Sequence, residues 1–176
     1  MKRGHSMKGI FRTAAALAAM VSTTAQAAEP ACVTRAEVRS MAAYLMPVMV
    51  DPVIASCKPH LAPDAYLMVG GRQLVDSLAA RKDSEWKVAK AAFSRAFGGG
   101  AMPDMPDDAL QSILTAKLSQ EFAGNLKPQE CSDISAIAAK LAPMSPDNLV
   151  DLVAEVAVVA LRDGGRKAGV KICPAQ

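Results

Sequence analysis

The sequence predicts an all-α protein: one disulfide-stapled helical bundle of about six helices arranged around a buried C-terminal helix. Apolar residues recur at helical spacing in successive segments, and these segments are bounded by capping residues, proline or glycine. No stretch alternates between apolar and polar residues as a half-buried strand would. All four cysteines follow an N-terminal export signal, which favours disulfide bonds over free thiols.

The first 27 residues have the features of a cleavable signal peptide. A short apolar run, TAAALAAMV at 13–21, is followed by the small-residue motif Ala25-Gln26-Ala27. We expect cleavage between Ala27 and Ala28, and a periplasmic or secreted protein. Translation from Met1 or from Met7 would both leave a basic segment before the apolar run. The basic residues of this segment are Lys2, Arg3, Lys8 and Arg12.

The mature part, residues 28–176, has a nearly balanced charge. The chain has 20 Lys and Arg against 17 Asp and Glu, and the four basic leader residues leave 20 − 4 = 16 against 17. The excess positive charge therefore belongs to the leader, and we expect no nucleic-acid partner. The length is typical of a single domain. The most apolar mature run, Leu149–Leu161, is shorter than the roughly 20 residues of a membrane span, so we expect none after cleavage.

The cysteines predict two structural disulfides, because an even number in an exported chain is typical of a disulfide framework. Four cysteines allow three pairings, and we favour Cys32–Cys57 with Cys131–Cys173 because each bond then joins neighbouring segments. No C-x-x-C motif is present, and the only mature histidine, His60, cannot complete a usual zinc site.

The first predicted helix begins at a capping box, Thr34 to Glu37, and its apolar face continues to Met49. Pro47 predicts a kink or an end, and Asp51-Pro52 predicts a new start that leads to Cys57.

A second helix begins near Pro63 and contains Gly70-Gly71, which indicates either a bend or close packing; we favour close packing. A third helix follows Asp83. It has an apolar face, made by Trp86, Ala89, Phe93, Ala96 and Phe97, which predicts a core position.

Three further helices complete the prediction. One spans 107–124, and a short one begins at Ser132 or Asp133. The last, Ser145–Arg162, should end before Gly164-Gly165 and is apolar nearly all round, which predicts a buried helix. The tail should be extended near 170–172 and fixed by Cys173.

A catalytic set is not recognisable, and we lean against an enzyme. Asp151 and Glu155 lie at i and i+4 on the last helix, so they share one face. Such a pair can bind a cation or share a proton. The alternative, which we favour, is a narrow solvent-facing stripe. A hydrolase built on these acids is the last of our hypotheses.

Methionines give the second functional hypothesis. Met102 and Met105 lie in the loop sequence MPDMP, and thioethers are soft ligands that select Cu(I). We therefore consider soft-metal binding at this loop, or small-ligand binding inside the bundle, although two thioethers alone make a poor site. No cofactor is expected. The basic tail, with Arg162, Arg166, Lys167 and Lys171, is either a solvated end or a contact for an acidic partner or a lipid head group.

The leader, the four cysteines and the segment LAPMSPDNL at Leu141–Leu149 resemble a family of small exported bacterial proteins. This resemblance implies a helical fold with two disulfides and an exported location, and it implies no catalytic residue. Our first functional hypothesis is a non-catalytic protein of the periplasm that works by contact with another protein or with the envelope.

Overall fold

The computed structural model describes residues 32–96, 105–168 and 170–174. The all-α prediction is confirmed, because this part of the chain forms seven α-helices and one short 3-10 turn, without strands. The signal-peptide residues, Phe97 and Met102 lie outside the described residues. The helices are α1 (Arg35–Cys57), α2 (Tyr66–Val69), α3 (Gly71–Ala79), α4 (Lys82–Ala96), α5 (Asp107–Gly124), α6 (Glu130–Leu141) and α7 (Pro146–Ala168), with the 3-10 turn at Lys58–His60.

Helix α1 lies at the centre of the bundle, and α3, α4, α5 and α7 all pack on it. Its start is as predicted: Thr34 and Glu37 form the capping box. Its length is not as predicted, since the helix continues for 23 residues through Pro47 and Pro52. Each proline removes one backbone hydrogen bond and costs about 3 kcal/mol in a helix interior. Burial of the helix among four others offsets that cost.

The prediction that the C-terminal helix is central and buried is wrong. Helix α7 buries Leu149, Val150, Ala154 and Val158. Its other side leaves Leu152, Val156 and Val159 exposed by 40%, 61% and 57%. Apolar composition predicted burial on all sides, but this helix packs on its neighbours with one side only. It also continues past Gly164-Gly165 to Ala168, because glycine permits a helix end without enforcing one and no proline follows within the helix.

Two groups of buried residues form the core. The larger one joins α1 to α7, α3 and α4, and includes Val38, Met46, Ala92 and Val158. The smaller one is aromatic: Tyr44 of α1 is completely buried between Trp86 and Phe93 of α4, with ring centroids 4.8 and 6.3 Å away. The predicted core face of α4 is thus confirmed for its described members.

One helical segment, Arg35–His60, is long and apolar enough to cross a membrane when judged by length and composition alone. Within its most apolar window 44% is buried inside the protein. The central position of α1 accounts for this apolar character, because a helix packed by four others needs apolar residues on several faces.

The predicted disulfide pairing is wrong. The bonds join Cys32 to Cys173 and Cys57 to Cys131, with Cα–Cα distances of 5.1 and 5.3 Å. The favoured pairs, Cys32–Cys57 and Cys131–Cys173, were chosen because each joins segments that are neighbours in the sequence. A continuous helix of 23 residues is about 34 Å long, so it holds Cys32 and Cys57 far beyond bonding distance.

The C-terminal tail is extended, as predicted, and pairs with the residues before α1. Val33 and Ile172 form a parallel bridge. The Val33 N–H donates to the Lys171 carbonyl at 2.8 Å, and the Cys173 N–H donates to the Val33 carbonyl at 2.9 Å. The Cys32–Cys173 bond therefore closes a contact that the backbone already makes.

Gly70 and Gly71, in the second predicted helix, are associated with both a bend and close packing, the two interpretations that the sequence offered. Gly70 separates α2 from α3, so the helix is interrupted. A Cβ atom at Gly70 would lie 2.5 Å from the Tyr66 ring, and one at Gly71 would lie 2.8 Å from Ile54 Cδ1. Close packing, the favoured interpretation, is confirmed.

Peptide mapping of the unreduced protein should yield one linked pair containing Cys32 and Cys173 and another containing Cys57 and Cys131. Replacing either pair by serine should lower the free energy of unfolding by about 4–5 kcal/mol on the chain-entropy model, because each bond closes a long loop. Chemical denaturation of the two double variants measures this loss. A peptide that links Cys32 to Cys57 would contradict the structure.

Candidate functional site

The most prominent candidate site is a cavity of about 400 Å³ inside the bundle. Five helices and the short α2 enclose it. The sixteen described residues that line it share one property, since all are apolar. They are Met46, Met49, Val50 and Val53 of α1, Leu67 of α2, Leu74 and Leu78 of α3, Phe122 of α5, Leu126 between α5 and α6, Ile134, Ile137, Ala138 and Leu141 of α6, Ala142 after α6, and Leu149 and Val153 of α7.

The cavity has a closed floor and an open edge. Leu67, Leu78 and Leu149 on its floor are 3%, 3% and 4% exposed. Phe122 and Ile137, which also line it, are 48% and 59% exposed. Ala142, which follows α6, is exposed as well. The opening therefore extends along α6 on the side of α5, and the closed end lies against α1, α3 and α7.

One disulfide bond and one hydrogen bond position the α6 wall. The Cys57–Cys131 disulfide fixes the first turn of α6 to the last turn of α1. One turn later, the buried Ser135 hydroxyl accepts a hydrogen bond from the Leu67 N–H at 3.2 Å. These contacts hold α6 against α2 and leave its apolar side, with Ile134 and Ala138, facing the cavity.

The α5 wall is anchored at its first turns. Leu110 is buried in the aromatic cluster around Tyr44, and Lys90 of α4 donates to Asp107 at 2.6 Å. This contact with Lys90 lowers the pKa of the Asp107 carboxyl below its usual value. Burial raises the pKa of Tyr44 in the same region. Beyond these turns α5 buries little, and Phe122 reaches the cavity from its far end.

The lining of this cavity is uniformly apolar. A buried polar or charged ligand group would find no hydrogen-bonding side chain among the sixteen lining residues, and an unpaired buried group costs several kcal/mol. Ligand pockets are typically about 300–1,000 Å³ and mainly apolar. The lining is thus compatible with hydrocarbon, and its described residues offer no group for acid–base or nucleophilic catalysis.

The paired acids lie elsewhere, on the surface between α7 and α1. Asp151 accepts a hydrogen bond from Arg39 Nε at 2.5 Å, and Glu155 accepts one from Arg35. These four residues line a small pocket of about 170 Å³. Because an arginine neutralises each carboxylate, the geometry favours ion pairing over proton sharing or cation binding. Both acids are exposed, as the solvent-facing stripe that we favoured predicts, and their ion pairs also join α7 to α1.

Arg39 is the centre of a larger ion-pair network. Besides Asp151, its guanidinium lies 3.5 Å from Asp147 of α7 and 3.9 Å from Glu85 of α4. The hydrogen bond to Asp151 raises the pKa of Arg39 above its usual value. One side chain of α1 thus connects three helices.

The structure describes only one of the two methionines in the soft-metal hypothesis. Met105 is half-buried and packs against the aromatic cluster, so it has the packing role that the sequence did not reveal. Met102, its proposed partner, lies outside the described residues. Within the described ranges no group of three His, Cys, Asp or Glu side chains is placed to hold a metal ion. His60 is exposed in the 3-10 turn.

Comparison of the chain with protein-family models, with curated proteins and with solved structures gave no match. The function must therefore be argued from the site itself.

Sequence reasoning named the bundle interior as a ligand site but did not locate the cavity. The sequence predicts that Met46 and Met49 lie on the core face of the first helix; Met46 is buried and Met49 is partly buried. The space beside them depends on where α6 is fixed. One signal of the cavity was present in the sequence. Ala138 and Ala142 line the cavity with small side chains, where larger ones would fill it.

Replacing Arg39 by alanine should lower the free energy of unfolding by about 1 kcal/mol, because a network exceeds an isolated surface pair. The loss should shrink in 1 M salt, where charges are screened beyond roughly 3 Å. Urea denaturation at low and high salt measures both. Arg72→Ala is the matched control, since the Arg72–Asp51 pair is far more exposed and should cost under about 0.5 kcal/mol. Equal losses for the two variants would contradict a network role.

Proposed function

We propose that this protein is a non-catalytic binding protein for a small apolar molecule, which it holds in the cavity between α1 and α6. The cavity's lining supports the proposal: about 400 Å³ bounded by sixteen apolar side chains and open at one edge. Filling such a space with hydrocarbon stabilises the complex by roughly 25 cal/mol for each Å² of apolar surface removed from water.

We also propose that the protein works outside the cytoplasm. Two disulfide bonds are compatible with an oxidising compartment, where such bonds form and persist. The basic start, the short apolar run and the Ala25-Gln26-Ala27 motif support export with cleavage after Ala27. In an aqueous exported compartment, an apolar molecule needs a protein to carry or sequester it.

Two earlier hypotheses stay predictions. Action through contact with another protein or with the envelope would use the exposed apolar side of α7, at Leu152, Val156 and Val159. Soft-metal binding would need Met102 and Met105 together.

Binding is tested with the uncharged dye N-phenyl-1-naphthylamine, whose fluorescence rises in apolar surroundings. We expect saturable binding of one dye per chain. Ala138→Phe should weaken it at least tenfold, because the phenyl ring occupies the cavity. Ala139→Phe, on the neighbouring exposed position outside the cavity, should leave it unchanged. Ala142→Phe is a second blocking variant, and circular dichroism checks folding. Saturation that neither blocking variant alters would place binding elsewhere.

Export is tested by expressing the full chain in a bacterial host and measuring the intact mass of the protein in the exported fraction. We expect the mass of residues 28–176 with four hydrogens lost to two disulfides. Replacing Ala25 and Ala27 by bulky residues should leave the precursor uncleaved. Full-length protein that remains reduced in the cytoplasm would argue against the exported location.

A further inference from the structure

We propose that the ligand is a single unbranched alkyl chain, selected by its length and not by its head group. This inference rests on the proposed function, because it names the class of molecule that the same cavity takes. It follows from the volume of the cavity, its one open edge and the charges around that edge.

The volume fits one chain. A methylene group fills roughly the space of one liquid water molecule, about 30 Å³. The cavity of about 400 Å³ therefore accommodates on the order of a dozen carbon atoms. The two chains of a membrane phospholipid together would exceed this volume about twofold, so one of them would stay in water. A free single-chain amphiphile, such as a fatty acid or a lysolipid, fits the space.

The shape fits a molecule with one apolar end. The floor at Leu67, Leu78 and Leu149 is sealed, whereas Phe122 and Ile137 are half-exposed at the edge. A chain that enters between α5 and α6 places its methyl end on the floor. Its head group then remains at the edge, in water, because an unpaired charge among the lining side chains would be costly.

The edge does not select a charge. The segment that connects the two walls of the opening, from Lys117 in α5 to Lys140 in α6, has three lysines and three acidic residues, so its net charge is zero. The acids are Glu121, Glu130 and Asp133, and the third lysine is Lys127. Glu130 already accepts the Lys127 N–H at 3.0 Å. This segment therefore offers no excess of either charge to a head group at the edge.

The test is displacement of the bound dye by amphiphiles with a twelve-carbon chain and different head groups, each below its critical micelle concentration. The probes are dodecanoate, dodecyltrimethylammonium, dodecylphosphocholine and dodecyl maltoside. We expect affinities within about threefold of one another. In a second series, maltosides of eight to fourteen carbons, affinity should rise up to about fourfold for each added methylene and level off when the cavity is full. Lys140→Glu should change no affinity by more than about threefold.

Each outcome decides a different claim. Length dependence without head-group preference, abolished by Ala138→Phe and retained in Ala139→Phe, supports the inference. A preference above tenfold for one head group, or affinities that ignore chain length, would overturn it while dye binding still supports an apolar site. Failure of the dye and of every amphiphile to bind would overturn the proposed function as well. Binding that survives in both Ala138→Phe and Ala142→Phe would place the chains outside the cavity and contradict both.

Discussion

The structure depends on the continuity of α1. A single helix of 23 residues sets a rigid length of about 34 Å, and the two disulfides attach other segments at its opposite ends. Cys32 binds the C-terminal tail just before the first turn of α1, and Cys57 binds α6 at its last turn. Four helices pack along the sides between these points. The two bonds close loops of 141 and 74 residues, so they join parts of the chain that lie far apart in the sequence.

The cavity is a consequence of this arrangement. Helix α6 is held at Cys131 by the disulfide and at Ser135 by the Leu67 N–H, and it packs mainly on the short α2. Held there, its apolar side cannot move in to fill the space beside α1. The small side chains of Ala138 and Ala142 leave that space open. The same bond that stabilises the fold therefore maintains an apolar volume inside it.

Local patterns predicted the helices well, because capping and periodicity act over a few residues. The box at Thr34–Glu37, the core face around Trp86 and Phe93, and the bounds 107–124 all follow from neighbouring residues. Features set by distant contacts were not predictable. The persistence of α1 through Pro47 reflects burial among other helices, and the disulfide pairing follows from that persistence. The one-sided packing of α7 likewise depends on which helices adjoin it. The arginine partners of Asp151 and Glu155 lie more than 100 residues away in sequence.

The central claim is that an apolar ligand enters the space between α1 and α6. Methyl-labelled NMR of the protein with dodecyl maltoside tests it most directly, because the cavity and the exposed side of α7 contain different methyl groups. Binding in the cavity predicts intermolecular nuclear Overhauser effects from the alkyl chain to Met46, Met49 and Leu74. It predicts none to Val156 and Val159, which are exposed on α7. Contacts confined to those two valines, with the cavity methionines unchanged, would contradict it.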